Sequence, residues 1–263
     1  IDAAFVSDLR PMDRAMKGWE YVAGLDLGVS RDASAVCVLA VRRTHDGHGH
    51  IRLASHQVWR PTKGSKVQLP EVEHALIRVH DRFKLRRLNF DPWEARHMAS
   101  RLQSAGLGRI GGGGFRLPMV EVTPSGQNLQ RIASCVIEAF NDRRLRLYPC
   151  EALHRDLTRF RVEERSYGFR LVSPRDAYGH GDLGTAFSLA MLAATELAAK
   201  PRVVIGRSLF DQPKNYAAQF AEECRRNEAE EKRLAELDDQ APTGFLDAIA
   251  NGNVRIVGHS PLF

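Results

Sequence analysis

Nine consecutive residues limit what this chain can fold into. Ala33-Ser34-Ala35-Val36-Cys37-Val38-Leu39-Ala40-Val41 is a near-continuous apolar run with β-branched residues, too short for an independent helix. Such a run reads as a central strand covered on both faces, so it calls for helices above and below a sheet. Tyr21 to Asp26 forms a strand before it, within 19–27, and Ile51 to Trp59 forms one after it. Short connections make an antiparallel meander the economical pairing. The period then becomes helical through Val72, Ala75, Leu76, Val79 and Phe83. A strand Arg87–Phe90, a helix starting at Pro92, a strand Leu117–Val122 and a helix over 127–141 follow. After them come a short extended piece at Leu145–Leu147, a helix over 151–159, a hairpin of 160–162 with 168–172, and an apolar helix from Asp182 to Ala199. The order predicts an α/β fold in which the three-strand meander joins parallel strands in a mixed sheet, with helices on both faces.

Three aspartates stand at matching topological positions. Asp26 ends the first strand, Asp91 ends Leu88-Asn89-Phe90-Asp91, and Asp182 opens the long apolar helix. Helix capping would account for Asp91 ahead of Pro92 and for Asp182. It does not account for Asp26, because a carboxylate ending a buried strand has no packing role. Strand ends that neighbour one another would bring the acids together at one sheet edge, where hard cations such as Mg²⁺ take oxygen ligands. Asp32 is a fourth candidate, since the turn Gly28-Val29-Ser30-Arg31 can fold it back toward Asp26; a turn aspartate capping its own backbone is the alternative. His180 reads as a surface-loop histidine within reach of a carboxylate or a phosphate, and His45, His48 and His50 as a solvated turn. Gly111 to Gly114 reads as a flexible loop: no Lys-Ser/Thr follows it, and no P-loop occurs anywhere in the chain.

Charge supports a polyanionic partner. Residues 201–263 hold 8 Lys+Arg against 10 Asp+Glu, which leaves 30 against 22 in residues 1–200. Arg143, Arg144 and Arg146, and the arginines from Arg155 to Arg175 around the hairpin, would neutralise phosphates beside an acidic centre. The four cysteines lack paired or zinc-ligand spacing and read as reduced thiols of a cytosolic protein. No stretch approaches the ~18–20 apolar residues of a membrane span, and no secretory signal is read. Residues 1–17 read as a linker or arm, 18–200 as the domain and 201–263 as a polar, helical tail; the opening Ile1 suggests a piece cut from something longer.

Gly24-Leu25-Asp26-Leu27-Gly28 with Asp32, then Phe90-Asp91-Pro92-Trp93, then His180-Gly181-Asp182-Leu183 form an ordered set over roughly residues 18–200. In this the chain resembles the nuclease domain of bacteriophage large terminase subunits, in the RNase H-like (retroviral integrase) superfamily. The resemblance implies an endonuclease that cuts double-stranded DNA with two divalent metal ions, Mg²⁺ or Mn²⁺. It implies Asp26, Asp91 and Asp182 as catalytic metal ligands, with Asp32 as a further ligand. It also implies a packaging ATPase domain preceding this one, a small terminase subunit and a portal protein as partners, and work in the bacterial host cytoplasm. Two alternatives share the core. A RuvC-like Holliday-junction resolvase would prefer four-way DNA. An actin-like or sugar-kinase-like ATP-binding protein would need a duplicated core and a second phosphate turn, and the chain has neither.

Overall fold

The structure, a computed structural model, describes residues 1–28, 32–44, 49–62, 64–104, 117–174, 180–199 and 256–257. The chain divides into two compact units, Ile1–Lys200 with Gly244–Phe263, and Pro201–Thr243. The second unit lies outside the described residues, and so do the helix expected over 215–237 and the glycine loop at 106–114.

The elements of the first unit are β1 (Glu20–Asp26), β2 (Ser34–Arg42), β3 (His50–Trp59), α1 (Leu69–Phe83), β4 (Arg87–Phe90), α2 (Pro92–Ser104), β5 (Met119–Glu121), α3 (Gly126–Asn141), β6 (Leu145–Arg146), α4 (Glu151–Arg159), β7 (Arg161–Arg165), β8 (Gly168–Val172), α5 (Asp182–Ala198) and β9 (Ile256–Val257). Six strands form one mixed sheet in the order β5-β4-β1-β2-β3-β6. The meander β1-β2-β3 is antiparallel, while β4 pairs parallel with β1, β5 with β4, and β6 with β3. β7 and β8 make the expected hairpin, and β9 pairs parallel with β7.

The apolar run at 33–41 behaves as its composition requires. All of Ser34 to Val41 is buried, and alternate residues serve opposite layers. Ala35, Cys37, Leu39 and Val41 join a core with α3, α4 and α5, including Val136, Leu153 and Phe187. Val36, Val38 and Ala40 join a second core with α1 and α2, including Leu76, Phe83 and Met98. At roughly 25 cal/mol per Å² of apolar surface removed from water, this two-sided burial is the main stabilising term of the sheet.

The first residues are fastened to the sheet's other margin. Val6 N–H donates to Leu147 O at 2.8 Å, Leu147 N–H to Ala4 O at 2.7 Å, and Met12 N–H to Ala54 O at 2.8 Å. Met12 is buried, and the Tyr21 hydroxyl accepts from Met16 N–H at 2.8 Å.

α5 lies directly on β1. Thirteen of its residues are buried, and its small side chains let the backbones approach. A Cβ on Gly24 would stand 2.0 Å from Ala186 O and 2.5 Å from Ala190 N, so only glycine fits there. Asn89 of β4 fastens the same helix, donating from Nδ2 to Leu189 O at 3.1 Å. Gly24→Ala should therefore push α5 off the sheet and destabilise the fold by ~1–3 kcal/mol or more, the range of overpacked cores. A lowered urea midpoint is the expected result.

Candidate metal centre

Strand parity aims the first acid. Val22 packs in the α5 layer, and Gly24 touches α5 itself. Asp26, two residues further, points to the same side. α5 runs antiparallel to β1, so its first residue, Asp182, arrives at the end of the strand where Asp26 sits. Asp26, His180 and Asp182 each offer a ligand atom, all within 4.8 Å of one another. Asp182 is buried and pinned: its Oδ2 accepts from Ala33 N–H at 3.2 Å, and its Oδ1 lies 3.5 Å from His180 Nδ1.

Asp91 occupies the neighbouring strand end. β1 and β4 run parallel with Leu25 opposite Phe90, so the next residues in register are Asp26 and Asp91. Asp91 Oδ1 accepts from Trp93 N–H at 2.9 Å, which caps the start of α2. It is thus both a cap and an acid beside Asp26. Asp32 lies just ahead of β2; its charge acts on both Asp26 and His180. Asp91 and Asp32 lie outside the tight three-residue group but within electrostatic reach of Asp26.

The electrostatics follow from this crowding. Burial first, then the charge of Asp182, with smaller contributions from Asp91 and Asp32 and against the opposing effect of His180, together push the Asp26 carboxyl up to about 8. His180 is raised, first by its hydrogen bond to Asp182, against the cost of burial, and then by the charges of Asp182, Asp26 and Asp32. Carboxylates gathered with so little compensating charge suit a hard divalent cation, which supplies the missing positive charge and accepts oxygen donors. Beside Asp91 and His180 a cavity of ≈ 290 Å³ opens between α3, β8 and α5, so the acids can be approached from that side.

Sequence reasoning missed one contributor and left another open. His180 reads as a loop histidine within reach of a carboxylate, and it stands in the acidic group. Its spacing from Asp182 was the available signal. Asp156, which follows Arg155 on α4 and was not singled out in the sequence, is buried. The N-cap of α5 is Gly181, which has no capping side chain. Asp156 supplies one from α4: its Oδ2 accepts from Gly184 N–H at 3.2 Å, while Ser173 Oγ accepts from Gly181 N–H at 2.9 Å. Burial raises the Asp156 carboxyl, and the Gly184 hydrogen bond opposes this. These two contacts hold the turn that carries Asp182. Nothing in the local pattern announces a cap delivered from another helix. Of the basic residues picked out beside the site, Arg165 and Arg170 are tied to Glu163 at 2.5 and 2.8 Å.

No family model and no curated protein matches the chain. Solved structures do. The HK97 bacteriophage large terminase superposes with a TM-score of 0.53 at 18% identity over 70% of this chain and 41% of its own, so this chain spans less than half of that protein. The large terminase nuclease from thermophilic phage G20c matches with a TM-score of 0.52 at 15% identity over 72% of this chain and 93% of its own. A form of it with bound magnesium matches with a TM-score of 0.51 at 16% identity over the same shares. The nuclease domain of the Thermus phage P74-26 large terminase matches with a TM-score of 0.51 at 15% identity, over 72% of this chain and 90% of its own. The chain shares the fold of these large terminase nucleases.

Two outcomes are expected of the metal-free protein. The folded pKa of Asp26 lies above its unfolded value of 3.8, so the native state holds the extra proton and stability falls as pH rises from 3.8 to about 8. Asp26→Asn should remove that loss and raise Tm in EDTA at neutral pH, by roughly 2–4 °C for each 1 kcal/mol relieved. A thermal melt series against pH checks this. Asp156→Ala leaves the Gly184 N–H buried without its acceptor and should cost ~1–3 kcal/mol, measured by urea denaturation.

Proposed function

We propose that this chain is the nuclease part of a phage DNA-packaging large terminase, a metal-dependent endonuclease that hydrolyses phosphodiesters in double-stranded DNA. The observation that carries the reading is the convergence of Asp26, Asp91 and Asp182 at one sheet edge, within a fold shared with large terminase nucleases. The domain proper is taken as residues 18–200, with 1–17 as the connection from a packaging ATPase domain and 201–263 as an appendage. A small terminase subunit and a portal are the further partners proposed, in the host cytoplasm.

Asp26, Asp91 and Asp182 would hold two divalent ions, Mg²⁺ or Mn²⁺, with Asp32 contributing directly or through water. Bound there, the ions would supply an activated water and charge stabilisation for the leaving 3′-oxygen. The chain's own part is to hold the carboxyl groups in place. Ala33 N–H and His180 orient Asp182, Trp93 N–H orients Asp91, and the wall of α5 excludes water behind Asp26. Phosphate contacts position DNA without specifying bases, so cutting should be largely independent of sequence.

Plasmid DNA should be nicked and linearised with Mg²⁺ or Mn²⁺ and left intact in EDTA; full activity in EDTA would overturn the reading. Asp26→Ala, Asp91→Ala and Asp182→Ala should each abolish cleavage in protein that remains folded by circular dichroism. Asp32→Ala should be milder and recover at higher metal concentration. Truncation after residue 200 removes β9 but leaves every strand of the six-stranded sheet, so a folded, soluble and active product is expected on gel filtration and in the plasmid assay.

A further inference from the structure

Trp93 is 91% exposed. Among the described residues the other exposed large hydrophobic side chains are Met16 at 51% and Phe169 at 44%, so no other large apolar group is so fully offered to solvent. An indole left in water needs a reason, because aromatic residues dominate interface energetics when covered. Its place supplies one. Trp93 stands two residues after Asp91, and its backbone N–H is bonded to the Asp91 carboxylate at 2.9 Å. The residue that carries the ring therefore stands at the rim of the acidic site.

Its neighbours on α2 are basic. Residues three and four positions apart share a helix face. Arg96 and His97 are exposed there beside Trp93, while Ala95, Met98 and Ala99 turn inward to the core. Arg96 reaches Glu121 at 2.8 Å, with 69% and 39% of the two side chains exposed. A pair so open to water contributes little, so the guanidinium can exchange Glu121 for a phosphate at small cost.

We propose that the exposed face of α2 is a DNA-contacting surface flanking the cut site. Trp93 stacks on or wedges against a base or sugar, and Arg96 takes the adjoining backbone phosphate. The commitment to nucleic acid comes from the combination. A planar aromatic suits a base, a cation one turn away suits a phosphate, and the helix that carries both starts at Asp91, an acid of the proposed phosphodiester-cleaving centre. The inference rests on the proposed function and adds to it where the substrate lies: across the start of α2 as well as over the acids.

Binding of a short fluorescein-labelled duplex, followed by anisotropy in EDTA, tests this apart from cleavage. Trp93→Ala should weaken binding about five- to tenfold and Trp93→Phe by less, because a smaller ring still stacks. Arg96→Gln should reduce the slope of log K against log salt by about 1. In the wild type, duplex should shield part of the tryptophan emission from acrylamide, and the shielded part should vanish in Trp93→Phe. Both side chains are exposed, so melting temperatures should stay at the wild-type value. A wild type that binds and cuts duplex, alongside variants that match it in affinity, salt slope and cleavage, overturns this surface alone. A wild type that neither binds nor cuts duplex overturns the proposed function with it. Unchanged DNA binding, with loss of a self-association seen by light scattering, would assign the face to protein instead and overturn the proposal.

Discussion

The contact of α5 with β1 at Gly24 is the constraint on which the rest of the arrangement depends. A backbone carbonyl and a backbone nitrogen of the helix occupy the space a side chain would need. That approach sets the depth of α5 on the sheet and its position along β1. The Asn89 hydrogen bond to Leu189 O fixes the helix over β4 as well. With α5 placed in both directions, its first residue has one location, opposite Asp26. The acidic group is a consequence of helix packing nearly four turns long, rather than of any loop that could be rebuilt independently.

The opposite tendency acts at the helix start. Burying carboxylates together raises the Asp26 pKa and opposes folding without a cation. The chain answers Asp182 with a neutral donor, the Ala33 N–H, while Asp156 and Ser173 hold the helix start by accepting from the N–H groups of Gly184 and Gly181. Packing energy from the two apolar layers thus holds together a centre that electrostatics alone would separate.

The fold was legible because its strongest signals are periodic. The run at 33–41, the helical spacing over 72–83 and the run from Asp182 each state a burial pattern, and the sheet realises them within a residue or two. Asp26 was legible as a carboxylate with no packing role. Asp156 was not, since it acquires its role from Gly184 on another helix, and single-element periodicity carries no record of that. In the basic hairpin, Glu163 pairs with Arg165 on its own strand and with Arg170 across the hairpin, and the second pairing appears only once register is known.

The fastening of the first residues has a mechanical meaning. Ala4, Val6 and Met12 bond to Leu147 and to Ala54 of β3, at the margin of the sheet next to β6. Tension entering the domain through Ile1 would load those hydrogen bonds first and then spread into β3. β2, bonded along its length on both sides, stands between that margin and β1. The acids at the end of β1 are held by a stiff plate whose handle is on the opposite side, so a pull on the handle reaches them as a small strain shared across many bonds.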